Sequence, residues 1–252
     1  MELELWQAAL LVGVGVVGGF LNVMAGGGSL LTVPVMVFMG IPGPVANGTN
    51  RIAILAQNLT AIATFARRGF SDFRLSLTLS ACAIPGAVAG ALAGTRLEGV
   101  WFNRALALIM IAVMLIMHFD RGAREAGAEY RPSRTQLWRG HLLMVGAGFW
   151  GGFIQLGVGF IIMPILNRVM GLDLVRTNMH KVFIIASYTV VALVVFASQL
   201  QLLWIVGAAL ALGNSLGGYL GAHLTVTRGE KLIRTVLNLV LVVFIIKLLV
   251  NP

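Results

Sequence analysis

The sequence predicts an all-α integral membrane protein made of two inverted-topology repeats. Each repeat is a glycine-broken helical hairpin, re-entrant or short in span, followed by three transmembrane helices. Three observations predict this. The chain is 58% hydrophobic and only 11% charged, whereas a soluble domain averages about 25% charged and needs that polarity to cover itself. Apolar runs over 105–119, 182–197 and 232–246 are helix-length and do not alternate polar with apolar residues, which excludes a β-barrel. Glycine, proline and basic positions of the first half recur in the second at a nearly constant spacing.

The helical segments, in order, are about 5–24, 29–40, 45–66, 74–95, 101–119, 140–156, 160–170, 176–198, 201–223 and 231–250. The N-terminus (Met1-Glu2-Leu3-Glu4) is acidic and lacks the basic stretch of a cleaved signal peptide, so the first helix is expected to be retained. Segments 29–40 and 160–170 fall short of the roughly 20 residues a span needs. Each follows a glycine-rich break, Gly26-Gly27-Gly28-Ser29 and Gln155-Leu156-Gly157-Val158-Gly159, and reads as the return arm of a hairpin. Residues 120–138 are the one long polar stretch and read as a connector. The organisation is therefore a first repeat at 1–119, a connector at 120–138 and a second repeat at 139–252.

The repeat itself rests on four blocks. Gly18-Gly19-Phe20 and Gly151-Gly152-Phe153 differ by 151 − 18 = 133. Pro34 and Pro164 differ by 164 − 34 = 130, as do Arg51 and Lys181. Gly86, Gly90 and Gly94 match Gly213, Gly217 and Gly221, with 213 − 86 = 127, and Arg104 matches Arg234. Around the middle the register stays open by two residues, because Thr49-Asn50 also matches Thr177-Asn178. The glycine series place small residues on one helix face and read as close-packing surfaces.

A net charge of +9 would suggest nucleic acid in a soluble protein. Here the basic residues sit in short loops, so no nucleic-acid partner is expected. Arg67, Arg68, Arg74, Arg121 to Arg139, Arg168, Arg176, Arg228, Lys231 and Arg234 mark one side as cytoplasmic. Arg96, Arg104 and Lys247 fall opposite. With these sides segment 45–66 runs inward and 176–198 outward, which requires inverted repeats. The connector would be cytoplasmic and both termini outside.

Arg51 and Lys181 each lie inside an apolar helix with no acidic residue nearby in the run. A charge at the bilayer centre costs at least about 2.5–3.5 kcal/mol, so such residues face a cavity, a counter-charge or a ligand. Ser29 is placed to cap the helix after the triple glycine, whose free N–H groups and partial positive charge favour an anion. Candidate substrate-binding residues are therefore Gly26, Gly27, Gly28, Ser29, Asn47, Thr49, Asn50, Arg51 and Gln57 in the first half. Their partners in the second are Gln155, Gly157, Gly159, Thr177, Asn178, His180 and Lys181. Asn58, Ser187 and Tyr188 surround them. His180 is also a candidate proton carrier. The single cysteine, Cys82, allows no intrachain disulfide, and the four histidines lack metal-ligand spacing. No P-loop, nucleophile elbow or His-Glu-x-x-His motif is present, so no cofactor, metal or enzymatic activity is expected.

Gly18-Gly19-Phe20, Gly26-Gly27-Gly28-Ser29, Pro34, Asn47-Gly48-Thr49, Gly151-Gly152-Phe153, Gly157-Val158-Gly159 and Pro164 together resemble the sulfite exporter TauE/SafE family of bacterial membrane proteins. The resemblance covers nearly the whole chain. It implies a multi-pass protein of the bacterial inner membrane that moves sulfite, thiosulfate or an organosulfonate, usually outward. The function expected is a secondary transporter working by alternating access. The alternatives are a passive anion channel or a membrane subunit needing a separate energising partner. Homo-oligomerisation stays open.

Overall fold

The computed structural model describes residues 4–97, 99–119 and 132–225. The expected last helix, 231–250, and connector residues 120–131 lie outside the described residues. The elements, all helical among the described residues, are α1 (Leu5–Ala25), α2 (Ser29–Phe38), α3 (Gly43–Arg67), α4 (Phe73–Gly94), α5 (Gly99–Phe119), α6 (Arg134–Phe153), α7 (Gly159–Pro164), α8 (Leu174–Gln199) and α9 (Trp204–Thr225). α1, α4, α8 and α9 are long and apolar enough to cross a membrane. α3 matches them in length, but Asn47, Asn50, Arg51, Gln57 and Asn58 are all buried along it.

Local chemistry accounts for the boundaries. α6 begins six residues earlier than the apolar pattern suggests, because Ser133 and Gln136 form a reciprocal capping box. Asp173 caps α8 by accepting from the Arg176 amide at 2.9 Å. α1 ends where Gly26 turns left-handed at φ 86°, a conformation a Cβ would oppose. The two prolines of the return arms behave differently. α2 continues through Pro34. After Pro164 the helix widens into a π-helical turn, Ile165–Val169. A missing N–H and ring bulk make that the point where the ladder slips.

Packing fixes helix direction. Gly213, Gly217 and Gly221 of α9 press on the backbone at Val12, Val16 and Phe20 of α1, in the same order, so these helices run parallel. Gly86, Gly90 and Gly94 of α4 press likewise on Val145, Phe149 and Phe153 of α6. These are the two expected glycine faces, and each joins the first half to the second. Ser76 meets His180 at one end of α4, and Gly94 meets Phe196 at the other, so α8 runs with α4. Ile52 and Gln57 of α3 meet Gly207 and Gly218 of α9 in order. Between α3 and α8 the order reverses: Gly48 meets Phe196, whereas Phe65 clusters with Met179 and Val182. Thus α1, α3 and α9 run one way, and α4, α6 and α8 the other.

Polar and aromatic residues sort by end. Arg67 and Arg68 finish α3, Arg74, Arg134 and Arg176 lie in the first turns of α4, α6 and α8, and Arg139 lies in the second turn of α6, all toward one end of the bundle. Trp6, Trp101 and Trp204 are exposed at the opposite end, and Trp138 at the basic end. Such tryptophans suit the level of lipid headgroups. Exposed leucines and valines such as Leu77, Leu142, Val194 and Leu212 cover the flanks between them. A continuous apolar flank is what a hydrocarbon environment requires.

Candidate anion site at the two helix breaks

The two breaks meet in the middle of the bundle. A Cβ built on Gly26 would fall on the backbone of Gly159, and one on Gly159 would fall on Gly26. Gly28 is equally tight, packed on the Gly18 carbonyl. Close backbone approach therefore explains Gly26, Gly28 and Gly159. Ser29, at the start of α2, is 1% exposed, and its hydroxyl has no hydrogen-bond partner among the described residues. The next N–H groups of α2, those of Leu30, Leu31 and Thr32, turn back on the Gly27 and Gly28 carbonyls.

The second break is held differently. Gln155 has φ 65°, the one non-glycine residue with positive φ among the described residues. Such a conformation costs energy for a side chain with a Cβ and persists only where neighbours impose it. Both ends of the Gln155 amide are anchored. Its Oε1 accepts from Arg51 at 3.1 Å, and its Nε2 donates to the Tyr188 hydroxyl at 3.2 Å. Gly157, at φ 66°, faces Val113 and Leu30.

Arg51 and Lys181 are fully buried. Sequence leaves them without a carboxylate partner, and the acidic side chains among the described residues (Glu4, Asp72 and Asp173) indeed sit at helix ends. Both cations are nevertheless engaged. Arg51 donates to the carbonyls of Gly151, at 3.0 Å, and Gly152, and its guanidinium stacks 4.4 Å from the Phe196 ring centre. Lys181 donates to the Val23 carbonyl and the Asn178 side-chain oxygen, both at 2.6 Å, and contacts the Met163 sulfur at 3.7 Å. Each cation thus caps the last turn of a broken helix from the other half, α6 for Arg51 and α1 for Lys181. Orphan carbonyls and the negative end of a helix dipole favour a cation there. Without these bonds a buried charge would cost several kcal/mol.

Three pairs of contacts bear on the register of the two halves. The bond from Asn22 to Gln57 (3.3 Å) has its counterpart in Gln155 to Tyr188. Thr32 donates to Asn50 at 2.7 Å, and the corresponding contact is Lys181 with Met163, since 163 − 32 and 181 − 50 both equal 131. Gly48 with Phe196 answers Met179 with Phe65. These contacts answer one another at a spacing of 131, beside the spacing of 130 that pairs Arg51 with Lys181 and Pro34 with Pro164.

The other candidates divide. Asn47 donates to the Phe153 carbonyl at 2.9 Å, and among the described residues its Oδ1 is unpartnered, as is Nδ2 of Asn50. Gln57 accepts from both Asn22 and Asn214, tying α1, α3 and α9 together. Gly27 is buried within the first break. Three candidates lie away from the breaks. Thr49 accepts from the Leu203 amide at 3.2 Å, Thr177 donates to the Leu172 carbonyl at 3.4 Å, and His180 bonds Ser76 at 2.8 Å. Sequence reasoning passed over Thr32, Met163, Phe196 and Asn214 as site neighbours. Thr32 and Asn214 were findable as polar residues within apolar runs. Phe196 and Met163 carry no such mark.

Among the described residues no three His, Cys, Asp or Glu side chains gather as a metal site would require. A cavity of about 510 Å³ opens at the basic end, lined by Ser71, Asp72, Arg176, Met179 and His180 among others.

The chain resembles curated relatives along almost its full length. It is 29% identical over 236 residues to the Probable membrane transporter protein ORF9 of Sinorhizobium sp, covering 94% of this chain and 90% of that protein. It is 28% identical over 235 residues to a Probable membrane transporter protein of Haemophilus influenzae, covering 93% and 91%. It is 26% identical over 240 residues to the Probable membrane transporter protein YfcA of Escherichia coli (strain K12), covering 94% and 87%. No solved structure matches the chain at a significant level. The family model described as Sulfite exporter TauE/SafE matches residues 11–248, and the chain belongs to that family of membrane transporters.

Proposed function

We propose that this protein exports a small sulfur-containing anion, of the sulfite or organosulfonate class, across the bacterial inner membrane. Transport runs by alternating access between two inverted repeats, 1–119 and 139–252, joined by a cytoplasmic connector at 120–138. The crossed capping of the two broken helices carries this reading. Each half lends a buried cation to the other half's break, near the Ser29 hydroxyl and the Asn50 Nδ2, which have no hydrogen-bond partner among the described residues. Membership of a transporter family supports it. The opposed directions of α1 and α6, α3 and α8, and α4 and α9 support the inverted arrangement.

In the proposed cycle the Lys181 ammonium exchanges its carbonyl and amide acceptors for oxyanion oxygens. The Ser29 hydroxyl and the Asn50 side-chain amide supply further donors. Arg51 keeps the second break in shape. Rocking of one repeat against the other along the glycine faces then exposes the ligand to either side. An inside-negative potential favours exit by about 2.3 kcal/mol per charge per 100 mV.

The test is uptake by the full chain in proteoliposomes, with sulfite, thiosulfate, sulfoacetate, sulfate and acetate as the panel. Saturable uptake with counterflow of labelled substrate is expected for a sulfur oxyanion and not for acetate. Flux that never saturates would replace the transporter with a channel. A silent pure chain that becomes active with a second protein would make it a subunit.

A further inference from the structure

We infer that Asn58 and Thr189 form a further binding site, midway along the α3–α8 contact, for a small hydroxyl-bearing ligand. Where that ligand is the transported anion, the inference rests on the transporter reading above. Four positions of α3 recur in α8 at a spacing of 131: Ile54 as Ile185, Asn58 as Thr189, Ala61 as Ala192 and Phe65 as Phe196. Steps of four, three and four residues keep each set on one helix face. All of these side chains are buried. Each face looks toward the other helix. Phe196 packs on Gly48 and Arg51 of α3, Phe65 clusters with Met179 and Val182 of α8, and Ile54 clusters with Ile184 and Ile185. Because the helices run antiparallel, the two phenylalanines close opposite ends of the contact. Halfway from Gly48 to Phe65 lies between Ala56 and Gln57, and halfway from Met179 to Phe196 lies between Ser187 and Tyr188. Asn58 and Thr189 fall next to these midpoints, within about 3 Å of them at the helical rise.

Both residues hold a buried atom with no hydrogen-bond partner among the described residues, Asn58 Oδ1 and the Thr189 hydroxyl. Turning the Asn58 amide round does not cure this. Its Nδ2 donates to the Ile54 carbonyl at 2.7 Å, and an oxygen in that place would oppose another oxygen. The free atom is therefore an acceptor. The Thr189 hydroxyl is free for a different reason. Thr60, Thr64, Ser187 and Thr225 each return theirs to the carbonyl four residues back, and Thr189 does not. Leaving a buried polar group unmet is costly, so two of them at corresponding positions call for a ligand that meets both. An O–H group does so, giving its hydrogen to Asn58 and accepting from Thr189. Water carries such a group. So does an oxyanion that keeps one proton, such as hydrogen sulfite in its hydroxyl form. A fully ionised oxyanion brings no hydrogen and sets oxygen against oxygen at Asn58.

The experiment is a double-substitution cycle on the full chain in detergent. Asn58→Leu and Thr189→Val each remove one polar group at nearly constant shape. Melting temperature is measured without anion. Sulfite affinity is then measured by thermal stabilisation, on the acidic and the alkaline side of sulfite's second ionisation. If water fills the site, each single substitution strands the other group and lowers the melting temperature, and the double substitution costs no more than one. If the protonated anion fills it, the wild type binds sulfite more tightly on the acidic side. Each substitution then raises the dissociation constant there by roughly two- to tenfold, the worth of one hydrogen bond, and the pair together raises it no further. Either form of coupling upholds the site. Coupled melting temperatures without sulfite binding uphold it with water as the ligand, while the transporter reading is judged by uptake alone. Effects that simply add in both measurements, or substitutions that change neither, overturn it. Thr189→Ser keeps the hydroxyl, so Asn58→Leu is expected to cost the same in that background as in the wild type. If it does not, the coupling is one of packing and the site is overturned. Should leucine overpack the contact, Asn58→Ala with Thr189→Ala completes the same cycle.

Discussion

The two buried cations occupy related places and are held in different ways. Arg51 is bound to two backbone carbonyls, to Gln155 and to the face of Phe196, while its Nε has no partner among the described residues. Its planar guanidinium suits several acceptors at fixed angles. Lys181 is a point charge on a flexible stem, held by Val23, Asn178 and the soft sulfur of Met163. The breaks differ in parallel. The first is three tightly packed glycines leading into a full helix, α2. The second is a strained Gln155 leading into a short helix and a π-helical turn. Under the proposed function the difference is a division of labour: Arg51 maintains a strained break, and Lys181 meets the ligand.

Several substitutions would break or sharpen that contrast. The largest effect is expected from Gly28→Ala, whose methyl would overlap the Gly18 backbone with nothing flexible to yield. Little folded protein should be recovered, and a normal yield by size-exclusion chromatography would mean the first break is looser than described. Arg51→Met comes next. It strands the carbonyls of Gly151 and Gly152, at about 1–3 kcal/mol for each unsatisfied group. Thermal denaturation in detergent should show a clear loss of stability, together with lost anion uptake.

Lys181→Met strands the Val23 carbonyl and the Asn178 side-chain oxygen, again at about 1–3 kcal/mol for each, and uptake should fall by tenfold or more. Normal uptake in Lys181→Met would mean that Lys181 does not meet the ligand. The smallest effect is expected from Gly157→Ala. The new methyl meets the Val113 side chain at 2.7 Å, which can shift, and the positive φ adds strain of roughly 1 kcal/mol. A slightly lowered melting temperature with near-normal uptake would fit.

The sequence by itself determined the membrane class, the order of the helices, the two breaks and the glycine faces. Each is written locally: hydropathy in runs of a helix's length, glycines at a spacing of four, Gly-rich stretches where a helix cannot continue. Even the helix starts were local, and the early onset of α6 follows from Ser133 and Gln136 once they are read as a capping box. Only the tertiary structure decided what the buried cations touch. Arg51 and Lys181 looked like an equivalent pair with free charges, yet both are bound to carbonyls. Backbone oxygens bear no label in a sequence, because every residue has one. Which of them face a given side chain depends on how α1 and α6 pack beneath α8 and α3, and that is a property of the assembled bundle.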